Sequence, residues 1–145
     1  ILKKYVIEPL KLSNTTAKII KPVIYKDMHV YPESAAAGVW SCINDLLTLA
    51  HDLAKSYQNN TGKILNNKLA RQILMQTPDH YGLGSIIDSG PNGKVFGHDG
   101  LNYRFLTRLK ISVNGTGIIS LFYTTPNNEN STGTLEKNIR DKAKN

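Results

Sequence analysis

Gly97-His98-Asp99-Gly100 sets an imidazole next to a carboxylate, between two glycines and just ahead of an alternating apolar segment from Phe105 to Val113. Histidine can act as a cation or a hydrogen-bond donor near neutral pH, which suits it to orient a substrate carboxylate or tune a proton relay. Glycine at position 100 lets a substrate backbone come close to the chain, because any Cβ there would obstruct it. These are the residue types of the substrate side of an active site. The 145 residues contain no Ser-x-x-Lys, so the chain holds no obvious activated serine of its own.

Other reactive side chains give weaker patterns. The single Cys42 excludes an intramolecular disulfide and a multi-cysteine zinc site. It is expected at the first position of a helix, where His51, nine positions on, falls about 180° around the axis, so the two cannot pair and a structural thiol is the better reading. His29, His51 and His80 form no metal-ligand spacing with acidic residues, and nothing in the chain calls for a cofactor. Asn14, Asn59, Asn114 and Asn130 each begin an Asn-x-Ser/Thr sequence, an acceptor only in a glycosylating compartment.

Elements that would position these residues follow from periodicity. Residues Ile1 to Glu8 read as the tail of a helix ended by Pro9, and Leu10 to Ala37 as a polar, irregular segment long enough to wrap over a larger body. A helix capped by Ser41 should run to about Tyr57, with Ile43, Leu46, Leu47, Ala50, Leu53, Ala54 and Tyr57 recurring at three and four. A shorter one after Asn67 would turn Leu69, Ala70, Ile73 and Leu74 inward. From Tyr81 the period becomes two. Tyr81 to Asp88 and Lys94 to Gly97 flank Gly90-Pro91-Asn92-Gly93, while Arg104 to Val113 and Gly117 to Thr124 flank Asn114-Gly115, two hairpins of an antiparallel meander. Ile118 to Tyr123 is apolar on both faces and makes a poor sheet edge, so some partner is expected on its free side: the missing N-terminal portion of the domain or a second copy. Thr134 to Lys144 reads as a closing basic helix. The expected fold is α+β, with about four strands preceded by helices. Residues 1–80 form a helical and irregular region and residues 81–145 the meander with its helix, together one incomplete domain.

Composition narrows the function classes. The balance of 20% charged and 40% hydrophobic residues fits a globular chain rather than a disordered one, and no apolar run approaches the ~20 residues that span a bilayer. A net charge of +7 attracts polyanions without choosing among them, but no zinc-finger, helix-turn-helix or aromatic RNA-binding signature accompanies it, so no specific nucleic-acid partner is expected.

Several phrases together resemble one family. Glu8-Pro9-Leu10-Lys11-Leu12-Ser13-Asn14-Thr15 is similar to its Pro-Leu-Gly-Met-x-x-Thr segment. Ala36-Ala37-Gly38-Val39-Trp40-Ser41 with Asn44-Asp45-Leu46 is similar to its Gly-Gly-x-x-Ser/Thr-x-x-Asp-Leu helix start, and Tyr81-Gly82-Leu83-Gly84 and His98-Asp99-Gly100 follow in order. The order resembles the C-terminal portion of the serine β-lactamase and penicillin-binding protein superfamily, in its class C β-lactamase, D-alanyl-D-alanine carboxypeptidase and esterase branch. The resemblance implies a partial β-lactamase-like fold. It also implies that His98 belongs to the Lys/His-x-Gly motif, that the Leu101 backbone N–H is one oxyanion-hole donor, and that Asp99, Gly100 and Arg104 line the substrate side. Arg104 stands where the family usually has glycine. The family's Ser-x-x-Lys and Tyr-x-Asn would precede Ile1; Tyr57-Gln58-Asn59 matches the latter as a string but falls at a helix end, out of order. The implied activity is acyl transfer and hydrolysis of a β-lactam, peptide or ester. The implied substrate is a small molecule or a peptidoglycan-type polymer, in a bacterial periplasm or outside the cell, with the isolated chain inactive. The alternatives are a non-catalytic module that binds cell wall or another anionic polymer, and, for His98, a turn histidine satisfied by local hydrogen bonds.

Overall fold

The computed structural model describes residues 1–17, 34–90, 93–102 and 105–123, together with residue 138. Arg104, His29, the Asn130 sequence, the centre of the Pro91-Asn92 turn and all but one residue of the expected Thr134–Lys144 helix lie outside the described residues.

Pro9 does not end the first helix. A π-helical turn, Lys3–Ile7, passes directly into α1 (Glu8–Leu10), and the helix ends at Lys11, whose φ is 56°. Proline offers no N–H and crowds the carbonyl four residues back. The Glu8 N–H bonds instead to the Lys3 carbonyl, five residues back, and this wider register is the local adjustment through which the proline passes. Lys11 N–H then donates to Glu8 O (3.1 Å) and Leu12 N–H to Ile7 O (3.0 Å), the paired bonds of a left-handed helix terminus.

The segment expected to be irregular ends in a helical turn, α2 (Ser34–Ala37). The long helix α3 spans Ile43–Asn59 and begins on Cys42, not Ser41. Ser41 is drawn elsewhere: its Oγ lies 2.8 Å from Thr15 Oγ1. Asp45, buried in the first turn of α3, accepts the Asn14 N–H (2.9 Å) and the Thr15 hydroxyl (2.7 Å). The start of α3 is thereby tied to residues 14–16. Ile43, 44% exposed, falls outside the buried stripe, which is carried by Ala50 and Ala54 with Leu53 and Tyr57 beside them.

Beyond α3, buried Asp52 accepts the backbone N–H groups of Lys63 (2.8 Å) and Ile64 (3.1 Å), closing the connection to α4 (Asn67–Ile73). Asn66 caps α4 by accepting the Leu69 N–H at 2.9 Å. Ala70 and Leu74 are fully buried, but Leu69 is 45% exposed, contrary to its expected inward position. It sits about 100° around the axis from Ala70, and a seven-residue helix presents only a narrow stripe to the core.

The sheet is antiparallel in the order β1-β2-β3-β4, with β1 at Ile86–Gly90, β2 at Gly93–Asn102, β3 at Phe105–Ser112 and β4 at Gly117–Tyr123. Helices and antiparallel sheet make the architecture α+β. Tyr81-Gly82-Leu83-Gly84 is a turn rather than the start of a strand. Gly82 N–H donates to Ser85 O (2.8 Å), Gly84 has a φ of +84°, and only an isolated bridge joins Tyr81 to Ile86. The core joins α3 and α4 to one sheet face through Ala50, Ala54, Leu74, Ile87, Phe96 and Ile111. Leu74, Ile87 and Ile111 are essentially without exposure, each contributing about 1.5–3 kcal/mol by burial. Among the described residues no helix is long and apolar enough to cross a membrane.

Replacing Asp52 with Ala strands two backbone donors and should lower unfolding free energy by about 2–3 kcal/mol, whereas Asp52→Asn, which keeps an acceptor oxygen, should lose less. Urea titration of the three proteins checks this, and equal losses for Ala and Asn would refute it.

Candidate functional site at the free edge of strand β2

Gly97-His98-Asp99-Gly100 lies inside β2, so His98 is a strand residue rather than one in a turn. β1 pairs with β2 only as far as Ile86 opposite Gly97. From His98 to Asn102, β2 keeps its β3 partner and runs on beyond the end of β1. Along this overhang one edge of the strand faces no described strand.

Register determines which groups reach that edge. Val113 N–H donates to Lys94 O (2.9 Å), which marks Lys94 as a residue turning its backbone polar groups toward β3. In an antiparallel ladder this orientation alternates, so His98 and Gly100 also bond toward β3, while Asp99 and Leu101 turn N–H and C=O the other way. On the far side of β1 the pattern agrees: Ile87 N–H points away from β2, to His80 O at 2.7 Å. The Leu101 N–H is therefore directed into the open edge, and Leu101 itself is 63% exposed.

His98 reaches the same edge. Its Nδ1 lies 2.5 Å from the Asp99 carbonyl oxygen. A carbonyl only accepts, so Nδ1 carries the proton in this bond and Nε2 is the ring nitrogen left for a ligand. The imidazole and the Leu101 N–H thus lie along one strand edge, within about two to three residues of each other, on the order of 7–10 Å.

The Asp99 carboxylate lies on the other face of the strand from the His98 ring. Neighbours in a strand point to opposite faces. The register places His98 opposite Leu109, on the face that packs against α3, and Asp99 opposite Arg108 on the other face. There Arg108 holds the carboxylate with both arms of its fork, Nε to Oδ1 at 3.0 Å and Nη2 to Oδ2 at 2.8 Å. With both side chains a quarter to a third exposed, such a cross-strand pair contributes up to about 1 kcal/mol. Arg108 was not among the sequence candidates. Period-two alternation separates it from Leu109, but only the β2–β3 register brings it to Asp99.

The two glycines have different work from that expected. A Cβ at Gly100 would lie 2.7 Å from Thr107 Oγ1, so the room left by the missing side chain is partly taken by a threonine hydroxyl. At Gly97 a Cβ would meet the Leu109 carbonyl oxygen at 1.8 Å and Lys110 Cα at 3.1 Å. Close approach of the β3 backbone requires glycine there. The depression beside His98, lined by Ile86, Phe96 and Leu109 among others, has room for about one water molecule. Tyr57 lies under Arg71 (4.7 Å to the ring centre) and Lys94 (5.7 Å), packed against the core rather than near His98. Among the described residues no cluster of His, Cys, Asp and Glu is arranged to hold a metal ion.

Gly97→Ala should cost about 3 kcal/mol or more of stability, because backbone must move, while Gly100→Ala should cost about 1 kcal/mol, because the threonine hydroxyl can rotate away. Thermal unfolding of the two variants checks the ranking, and equal melting temperatures would contradict it.

No protein-family model matches the chain, and no curated protein matches it.

Proposed function

We propose that this chain forms the substrate-side wall of a β-lactamase-like serine hydrolase, and that acyl transfer to a serine outside these 145 residues is the reaction it serves. The observation that carries this reading is the open edge of β2, where His98 and the outward Leu101 N–H lie on one overhanging strand. An extended substrate lying along that edge pairs its backbone with the strand, as an added strand does. Its reacting carbonyl oxygen takes the Leu101 N–H as one oxyanion donor, and negative charge developing there is stabilised by a group already in place. The second donor belongs to the nucleophile. His98 orients the substrate's polar end through Nε2, and Gly97 lets the β3 backbone lie close against β2 where the edge begins.

A second detail supports the family reading. Lys11 occupies the position of the glycine in the family's Pro-Leu-Gly phrase, and it adopts the left-handed conformation in which glycine is favoured. The closing helix and a strand partner for Ile118 to Tyr123 belong to the same proposal, as does a periplasmic or secreted location.

The test uses chromogenic cephalosporin and p-nitrophenyl ester substrates. The 145-residue chain alone should show no turnover. An in-frame Ser-x-x-Lys followed by Tyr-x-Asn should lie upstream of Ile1, and the polypeptide that includes both should turn over substrate. Within that polypeptide His98→Ala should lower kcat/KM by about 10²-fold. Appreciable turnover by the chain alone, or an upstream frame without the two motifs, would overturn the proposal.

A further inference from the structure

We infer that Asn114 is a covalent modification site, at which the folded β3–β4 hairpin loses a side-chain amide to water and gains an aspartate or an isoaspartate. Nothing in this depends on the hydrolase reading.

The turn requires the glycine that makes the reaction possible. Ser112 N–H donates to Thr116 O (2.5 Å) and Gly115 N–H to Ser112 O (2.9 Å), which leaves Val113, Asn114 and Gly115 as a three-residue loop. Such a loop ends on a residue in the left-handed region, and Gly115 has a φ of +91° there. A residue with a side chain is disfavoured at that position. The nitrogen that follows Asn114 therefore has no Cβ beside it to keep an approaching amide away.

The Asn114 side chain is folded toward that nitrogen. Its Oδ1 accepts the Thr116 N–H (3.0 Å) and the Thr116 hydroxyl (2.8 Å), closing a ring of bonds that spans the Asn114–Gly115 peptide. The two donors also draw electron density from Cγ, as fixed donors do at any carbonyl under attack. Asn114 and Thr116 are exposed, so water reaches the group.

Asn59 supplies the contrast within the same chain. Its Oδ1 takes the Thr61 N–H (3.2 Å) and the Thr61 hydroxyl (2.5 Å) in the same way, and it too is exposed. The next residue there is Asn60, whose side chain is present and held by the Asn67 N–H at 2.6 Å. The fold thus gives both amides the same bonds and only Asn114 a bare neighbour.

Water is the one co-reactant. The Gly115 nitrogen forms a bond to Asn114 Cγ, the Cγ–Nδ2 bond breaks, and ammonia leaves with the proton that the Gly115 nitrogen gave up to solvent. Water then opens the cyclic imide. Cleavage at Cγ gives aspartate, and cleavage at the backbone carbonyl gives isoaspartate, with the chain running through Cβ and Cγ. The turn rests on α3, where a Cβ on Gly115 would lie 3.5 Å from His51 Nδ1. An isoaspartate lengthens this loop and pulls the Ser112–Thr116 pair and the seat on His51 out of register, whereas an aspartate leaves the backbone as it was.

The chain is incubated in mildly alkaline buffer, folded and in concentrated urea, and mapped by tryptic digestion, in which cleavage after Lys63, Lys94 and Lys110 puts Asn59, Asn92 and Asn114 on separate peptides. In the folded chain fragment ions should place an amide-to-acid mass gain on Asn114, formed about tenfold faster than at Asn59. Asn114→Gln, one methylene too long to close the same ring, should remove that gain and leave Asn59 unchanged. The isoaspartyl product, separated by chromatography, should melt below the parent chain and the aspartyl product close to it. Conversion of Asn114 no faster than Asn59, or only in urea, overturns the site. An isoaspartyl form that melts with the parent overturns its effect on the hairpin.

Discussion

β1 stops opposite Gly97 while β2 continues to Asn102, and this difference in strand length governs the site. A paired strand spends its backbone N–H and C=O groups on its neighbours. Only where one neighbour is missing do they remain for a ligand. The turn at Gly82 to Ser85 ends β1 by folding the chain back toward Tyr81, so the Tyr-Gly-Leu-Gly phrase leaves that edge of β2 facing no described strand rather than adding to β1. The His98 ring, turned back onto the Asp99 carbonyl, then lies along that edge.

The rest of the molecule holds this overhang in place. Gly97 permits the β3 backbone to approach at the point where β1 ends, and the Asp99–Arg108 fork fastens the overhang to β3 on the outer face. On the inner face Phe96 and Ile111, opposite each other in register, anchor the two strands to Ala50 and Ala54 of α3. Small alanines let the helix lie close to the sheet, and α3 in turn carries Asp45, which fixes residues 14–16 and through them Trp40. Core packing, a carboxylate clamp and an aromatic contact thus follow one another along β3, at Ile111, Arg108 and Phe105.

Much of this was legible in the sequence because it is periodic. The 3.6-residue pattern from Ile43 to Tyr57 and the Asn114-Gly115 hairpin are strong local signals, and the structure places α3, β3 and β4 close to where they pointed. Local signals failed where a competing partner decided the outcome. Ser41 is a good cap by type, yet Thr15 claims its hydroxyl and the helix starts one residue later. Pro9 is a helix breaker by type, yet a shift to i→i−5 bonding carries the turn past it. Asp99 follows His98 in sequence, yet the strand pleat sends the two side chains to opposite faces. Arg108 was invisible as the partner of Asp99 because it reaches the β2 overhang only through pairing across strands, which no short-range pattern encodes.

The account stands on the direction of the backbone groups in the β2 overhang, and amide hydrogen exchange read residue by residue measures that direction. His98 and Gly100, bonded toward β3, should exchange slowly, and Asp99 and Leu101, turned to the open edge, should exchange at least ~10²-fold faster. Equal protection of all four amides, or the opposite alternation, would contradict it.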